Sequence, residues 1–400
     1  MGTKLNKNLV AILIIIVMGL SLFAIDIFAP GLPAMAKDLG VSESSAKQTI
    51  SVFFLAFAFG QLIIGPMSDR FGRRKVLLWA LCLLLLSTIA CALSTSLDAL
   101  LAARFVQALG ACAGGVVGRA MLSEVFSNTD LIKVMSTVVM VKALAPAAAP
   151  IIGGFLVPAW GWNSTFWALA AITALVFLLV LRYLPETRDT SHAKDQPTLG
   201  LWAAYARLLR DRDFLRYSIA PALLNGGLVA LVACSPFILI TRFGISEHVY
   251  GLLQGSHIAL FIIGATMSRR FAKASADDSV VESSISYVLM FYGAVAAALA
   301  LFAGNGAGTW IVLLGTLGFC LVMGFTNPLL YAKGMASFEG NAGTGSSVQG
   351  FIYYGLGAVV GTLSNYFTTD SPKALFTILG VSATLAVASL FALRPRPVIA

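Results

Sequence analysis

Gly65-Pro66-Met67-Ser68-Asp69-Arg70-Phe71-Gly72-Arg73-Arg74-Lys75 is a short basic stretch set between two long apolar runs. The runs on either side, roughly 48–67 and roughly 76–94, have about the length that crosses a bilayer as a helix. Lys and Arg gather in such short segments between spans, on one side of the membrane. Working outward from this loop, the same alternation places twelve spans, at roughly 9–31, 48–67, 76–94, 99–121, 133–157, 164–184, 214–240, 250–268, 282–303, 309–331, 343–367 and 374–392. Composition agrees. The chain is 58% apolar and 11% charged, against roughly 45–50% and about 25% in soluble domains. A net charge of +9 would suit a nucleic-acid binder, but the bases are confined to the segments between spans. The charge therefore marks topology, and no nucleic-acid partner is expected.

With the N-terminus in the cytoplasm, twenty of the 27 Lys and Arg fall on inner segments, among them Lys4, Lys7, Arg182, Arg188, Arg394 and Arg396. Lys37, Lys47, Arg242 and Lys373 fall outside, and Arg104, Arg119 and Lys142 lie within the spans. Both termini are expected in the cytoplasm. The longest polar stretch, with His192, Lys194, Asp195, Gln196 and Pro197 at its middle, reads as a linker. It divides the chain into an N-terminal six-helix bundle (1–187), a cytoplasmic linker (188–213) and a C-terminal six-helix bundle (214–400). Lys4 and Lys7 before an apolar run imitate a signal peptide, but that run is long and carries Asp26, so it reads as a retained first span.

The opening loop has a second copy. Met67-Ser68-Asp69-Arg70-Phe71-Gly72-Arg73 is followed, two hundred residues on, by Met267-Ser268-Arg269-Arg270-Phe271-Ala272-Lys273, with four identities in seven. The offset points to a duplication into parallel halves, an arrangement that places a substrate site between them near the midplane.

An ionisable side chain inside the membrane costs at least about 2.5–3.5 kcal/mol and is normally paired, cavity-lining and functional. Asp26 lies five residues before the expected end of the first span and Arg104 five after the start of the fourth, so both sit about 7–8 Å below the outer surface and could meet. A carboxylate whose surroundings change between two states, with a guanidinium beside it, can take up and release a proton. The plainer alternative is a static ion pair joining two helices. Lys142, about 14 Å into the fifth span, is too deep for its side chain to reach the surface easily. It reads as cavity-facing and biases the substrate toward neutral, zwitterionic or anionic compounds. Arg119 has either a structural partner such as Glu124 or the substrate. Asn225, Gln254, His257, Asn327, Gln349, Tyr353 and Tyr354 are candidates for lining the second half of the cavity; Gln254 and His257 share a helix face. The aromatic group Phe53, Phe54, Phe57 and Phe59 is expected to divide between lipid and cavity.

The 65–75 stretch resembles the loop signature of the major facilitator superfamily, which stands between the second and third spans. Arg104-Phe-Val-Gln107-Ala-Leu-Gly110 resembles that family's fourth-span motif, with Ala108 where Gly is usual. Ala145-Pro146-Ala-Ala-Ala-Pro150-Ile-Ile-Gly153-Gly154 resembles the fifth-span motif of its drug exporters. Asp26-Ile-Phe-Ala-Pro30-Gly-Leu-Pro33 and Pro185-Glu186-Thr187 narrow the resemblance to the twelve-span drug:proton antiporters, in particular the bicyclomycin and chloramphenicol resistance group (Bcr/CflA, EmrD-like). The resemblance implies an all-α membrane protein of twelve transmembrane helices in two six-helix bundles. On the residues alone, Gly65, Asp69, Arg70, Gly72, Arg73, Arg74, Arg119 and Glu124 are either a latch that breaks and reforms during transport or a solvated loop that fixes topology. The resemblance favours the latch. In the fifth span, Pro146, Pro150, Gly153 and Gly154 remove backbone donors and side-chain bulk, and read as a packing seam between the halves.

Gly340-Asn-Ala-Gly-Thr-Gly345-Ser346-Ser347 has the glycine spacing of a phosphate loop, but Ser346 stands where lysine is needed and no strand precedes it. Cys82, Cys91, Cys112, Cys234 and Cys320 all lie in expected spans and form neither a disulfide framework nor a metal site. No catalytic cluster is found, so no enzyme activity, cofactor or metal is expected. The expected function is proton-coupled antiport of drugs or small amphipathic compounds across the bacterial inner membrane by alternating access, with the chain working as a monomer. The alternative is a proton-coupled symporter for a small nutrient or metabolite. Reporter fusions after Ala400 or within 190–200 are expected to report cytoplasm, and fusions near 40 or 245 periplasm; a periplasmic C-terminus would mean that a span has been miscounted.

Overall fold

The computed structural model describes residues 7–188, 200–275, 277–302, 308–336, 342–366 and 372–394. Among these no strand forms; the chain runs from helix to helix. The elements are α1 (Lys7–Asp26), a 3-10 turn (Ala29–Gly31), α2 (Leu32–Asp38), α3 (Glu43–Phe71), α4 (Arg73–Ala92), α5 (Leu97–Val125), α6 (Asn128–Trp160) and α7 (Asn163–Tyr183). After them come α8 (Gly200–Leu208), α9 (Arg212–Pro236) with a π turn (Phe237–Arg242), α10 (Glu247–Ala274), α11 (Asp278–Phe302), α12 (Thr309–Ala336), α13 (Ala342–Leu363) with a 3-10 turn (Ser364–Tyr366), and α14 (Pro372–Ala392). Among the described residues eleven spans, counting α1 with α2 and α9 with its π turn, are long and apolar enough to cross a membrane. The remaining expected span is α13, a helix of 22 residues. Gly345, Ser346, Ser347, Gln349 and Tyr353 lower its hydropathy.

The first span departs from the expected straight helix. Pro30 and Pro33 offer no amide donors, and α1 stops at Asp26 before the chain resumes as α2. The span therefore runs on to Asp38. Asp26 is the residue at which α1 ends, and the chain reaches the α6–α7 junction by Gly31, where a Cβ would lie 3.1 Å from Trp162. Arg104, counted from Leu97, is about 10 Å into α5, and Lys142 about 21 Å into the long α6. Lys47, expected outside in a loop, lies in the first turns of α3; it is buried, and its Nζ donates to the Ser364 carbonyl at 3.2 Å.

Contacts group the described chain into two compact units: residues 1–41, 52–198 and 247–252, and residues 42–51, 199–246 and 253–400. In the first, α4 packs on α5 and α7, and α1 on α5 and α6. In the second, α9 is the central helix, covered by α12, α13 and α14. Large apolar side chains such as Trp79, Leu86, Phe302 and Trp310 stay exposed, as a lipid-facing surface requires. The expected linker contains α8, while 189–199 lie outside the described residues.

The α1–α5 seam depends on small residues at four-residue spacing. A Cβ at Gly114 would run into the Ser21 hydroxyl and lie 2.7 Å from the Val17 carbonyl, and one at Gly118 would lie 2.9 Å from Met18. One residue along, a Cβ at Gly115 meets nothing within 4 Å. Gly114→Val is therefore expected to cost about 1–3 kcal/mol, seen as a lowered thermal midpoint of the detergent-purified protein. Gly115→Ala should leave the midpoint unchanged or slightly raised, and equal behaviour of the two variants would contradict this seam.

Candidate functional site

The break after Asp26 leaves the last carbonyls of α1 without intrahelical partners, at the negative end of its dipole. Arg104 of α5, fully buried, fills this position: Nη1 donates to the Ala24 carbonyl at 3.2 Å and to Gln107 Oε1 at 2.7 Å. Gln107 is fixed in turn by Nε2 donating to Thr88 Oγ1 of α4 at 2.8 Å. The guanidinium carbon lies 4.3 Å from the ring centroid of Phe53, 5.6 Å from that of Phe28 and 5.8 Å from that of Phe166. Desolvated cation–π contacts contribute about 2 kcal/mol or more. Nε and Nη2 have no hydrogen-bond partner among the described residues. Asp26 is half-buried and interacts with Arg104 electrostatically, but among the described residues no ion pair closes between them. Of the expected aromatic group, Phe53, Phe54 and Phe57 are buried and Phe59 is exposed.

Lys142 of α6 is half-buried and near enough to Arg119 of α5 for the two charges to repel. Arg119 does not join the expected latch. Glu124, five residues on, lies on another side of α5, whereas Gly115 is one turn back on the same face, and Arg119 Nε donates to its carbonyl at 2.9 Å.

The polar candidates of the second unit hold helices together. Asn225 Nδ2 donates to the Tyr353 carbonyl at 3.1 Å and Asn327 Nδ2 to the Tyr353 hydroxyl at 3.3 Å, which ties α9, α12 and α13. Tyr354 packs edge-on to Tyr353. Gln349 Nε2 donates to the Tyr331 carbonyl at 3.4 Å, and Gln254 Nε2 to Ser235 Oγ at 3.0 Å. His257 is buried with Nδ1 2.8 Å from the Leu253 carbonyl, so Nδ1 is the donor; Nε2, 2.8 Å from Thr316 Oγ1, then accepts in the neutral ring. Both nitrogens are satisfied, as in a packed structural histidine. Asn327 Oδ1 and Gln349 Oε1 have no hydrogen-bond partner among the described residues.

At the other end of the first unit the 65–75 stretch is folded around one arginine. α3 stays helical through Gly65 and Pro66 to Phe71, and the chain turns at Gly72, whose φ is 96°. Arg73 reaches Asp69 Oδ1 at 2.7 Å, Glu124 Oε1 at 2.9 Å and Ser68 Oγ at 2.5 Å. Glu186, just after α7, accepts from the Arg73 amide at 2.9 Å and the Arg74 amide at 3.1 Å, capping the start of α4 with a carboxylate. Arg74 Nη2 donates to the Leu181 carbonyl at 2.7 Å, and Thr187 Oγ1 to Glu124 Oε2 at 2.5 Å. Arg70 stays outside this network, exposed and lying over Phe71.

The model of the Major Facilitator Superfamily matches residues 14–362. The chain belongs to that superfamily. Within it, the chain is 30% identical over 376 residues to the uncharacterized MFS-type transporter YdgK of Bacillus subtilis, covering 94% of this chain and 92% of that one. It is 28% identical to the bicyclomycin resistance protein homolog of Haemophilus influenzae, covering 94% and 93%, and 27% identical to the multidrug resistance protein D of Escherichia coli, covering 99% and 98%. Among solved structures, the nucleoside transporter NupG superposes with a TM-score of 0.74 over 96% of this chain and 100% of that one, at 14% identity. The protein is thus a multi-pass membrane transporter of the major facilitator fold, not an enzyme.

In this facilitator the sequence pattern missed two contributors. Glu186 stood in the Pro185-Glu186-Thr187 motif, and its chemistry as a helix cap shows only when the end of α7 comes beside Gly72. Gln107 stood in the fourth-span motif, and its contact with Arg104 follows from their i, i+3 spacing. The fifth-span glycines face backbone: a Cβ at Gly153 would meet the Ile27 carbonyl and one at Gly154 the Glu247 carbonyl. Glu186→Ala is expected to cost about 0.5–2 kcal/mol through loss of the α4 cap. Gly72→Ala should cost more, because its Cβ would also lie 2.7 Å from Glu186 Oε2. Melting of the purified transporter checks the order, and a harmless Gly72→Ala would refute it.

Proposed function

We propose that this facilitator is a proton-coupled antiporter that exports drugs or small amphipathic compounds across the bacterial inner membrane, with both termini in the cytoplasm. Its working parts are two six-helix bundles, 1–187 and 214–400, joined by a cytoplasmic linker, and it carries a small molecule and a proton in turn. The names of the relatives support the drug class. The observation that carries the proton reading is Arg104, buried beside the break of α1 with two guanidinium nitrogens unbonded and the Asp26 carboxylate nearby.

A guanidinium with open donors can accept the carboxylate in one state and leave it in another. In the outward state a periplasmic proton neutralises Asp26, loosens its hold on Arg104 and favours release of substrate. After reorientation the proton leaves to the cytoplasm, and the restored anion permits new substrate to bind. Proton binding and substrate binding are then linked through one conformational equilibrium. The Arg73, Asp69, Glu124 and Glu186 network serves as the latch that breaks and reforms in each cycle, and the fifth-span Pro and Gly residues set the packing seam that prevents leak.

Asp26→Asn is expected to yield folded protein that still binds ligand but neither releases a proton on binding nor drives efflux uphill. Dye efflux from cells and proton release by the detergent-solubilised protein are the measurements. Uphill pumping by Asp26→Asn with wild-type pH dependence would place the coupling elsewhere.

A further inference from the structure

We infer that Lys142 and Arg119 form a subsite that receives the anionic group of an amphipathic organic substrate, a refinement that rests on the export reading above. The glycines of α5 define where the space lies. Gly114 and Gly118 are pressed against α1, while the position of Gly115 opens on empty space. Arg119 stands one turn along that open face and is half-buried, with Nε held on the Gly115 carbonyl. Lys142 comes from α6, half-buried and near enough to repel Arg119.

Two like charges within electrostatic reach of each other in a membrane raise each other's energy, and the usual remedy is a carboxylate. Among the described residues neither Lys142 nor Arg119 makes an ion pair within 4 Å. Asp26 interacts with Arg104 instead. No acid among the described residues supplies the missing negative charge, which leaves it to a solute. A lipid headgroup shares this chemistry but belongs at the interface, whereas Lys142 is about 14 Å into the span that begins at Lys133. The occupant that fits is a solute with one carboxylate or sulfonate and an apolar body.

Two dyes with the same ring system supply the test: 1-anilinonaphthalene-8-sulfonate, and N-phenyl-1-naphthylamine, which lacks the sulfonate. Equilibrium binding is measured on the full chain in phosphatidylcholine nanodiscs, with protein-free nanodiscs subtracted. The wild type is expected to bind the sulfonate about tenfold or more tighter than the neutral dye. Lys142→Met and Arg119→Gln should each remove most of that preference and leave the neutral dye bound as before, while Lys142→Arg should retain it. Equal binding of both dyes by the wild type, or an undiminished preference in Lys142→Met, would overturn the subsite. Loss of the preference on adding phosphatidylglycerol would assign the position to lipid and also overturn it. If Lys142→Met does not fold, Arg119→Gln and Lys142→Arg decide the matter. Gradient-driven efflux of the neutral dye tests the export reading separately: efflux without sulfonate preference refutes only the subsite, and preference without efflux refutes only the exporter.

Discussion

The carbonyl of Ala24, released where α1 ends at Asp26, has to find a donor in a medium that offers no water. A spanning helix can be interrupted in hydrocarbon only where neighbouring protein takes over the freed groups. Arg104 does so, and several other features follow from that bond. A charge so deep needs neutralising surroundings, which Phe28, Phe53 and Phe166 provide as three ring faces and Gln107 as an acceptor. Arg104 reaches the break because α5 lies close against α1, and that closeness requires Gly114 and Gly118. The prolines that break α1, the glycines of α5 and the buried arginine are thus one device read at three places in the sequence.

The two copies of the duplicated loop show how little change diverts such a device. Gly72 lets α3 stop and the chain turn, which exposes the first amides of α4 to Glu186. Ala272 stands at the matching place in the second copy, and α10 simply continues to Ala274. Arg269 stands where Asp69 would have paired. The second unit caps its next helix locally: the Ser279 amide donates to Asp277 Oδ1 at 2.8 Å, and the Ser279 side chain and amide together hold that carboxyl below its usual range. Its buried ion pair lies elsewhere, between Arg216 of α9 and Glu282 of α11, with Arg216 Nε also donating to the Leu390 carbonyl at 2.6 Å.

The sequence made the helix class and nearly every span legible, because a run of apolar residues of bilayer length has few other readings. Span boundaries were short by several residues, as at Val125 and Ala336, because helices continue into the polar layer where hydropathy no longer marks them. The site was legible as residue types but not as partners. Asp26 and Arg104 were picked out by the cost of burying charge, but the carbonyl that Arg104 holds is freed by a break in α1 that follows from prolines further along. Arg119 was left with Glu124 or the substrate as its partner, whereas the helical period sends its Nε back to the Gly115 carbonyl. His257 stood among the cavity-lining candidates, and the carbonyl and hydroxyl that satisfy it come from Leu253 and from Thr316 of a distant helix.

A division of labour among the cations follows from these contacts. Where the chain leaves the apolar layer, arginines are held by acids: Arg73 by Asp69 and Glu124, and Arg216 by Glu282. Within the spans, Arg104 and Arg119 are held by carbonyl oxygens of the backbone and of Gln107. A carboxylate partner cancels the charge and fixes it; a carbonyl orients the group and leaves the net charge standing. Burial without cancellation is the costlier choice for stability. A fold that makes this choice at depth while pairing arginines with acids at the helix ends keeps its interior cations available to something mobile. For Arg104 the neighbouring mobile charge is the Asp26 carboxylate, which a proton can switch off. Arg119 and Lys142 have no ion-pair partner among the described residues, and the subsite inferred above would take its negative charge from a solute.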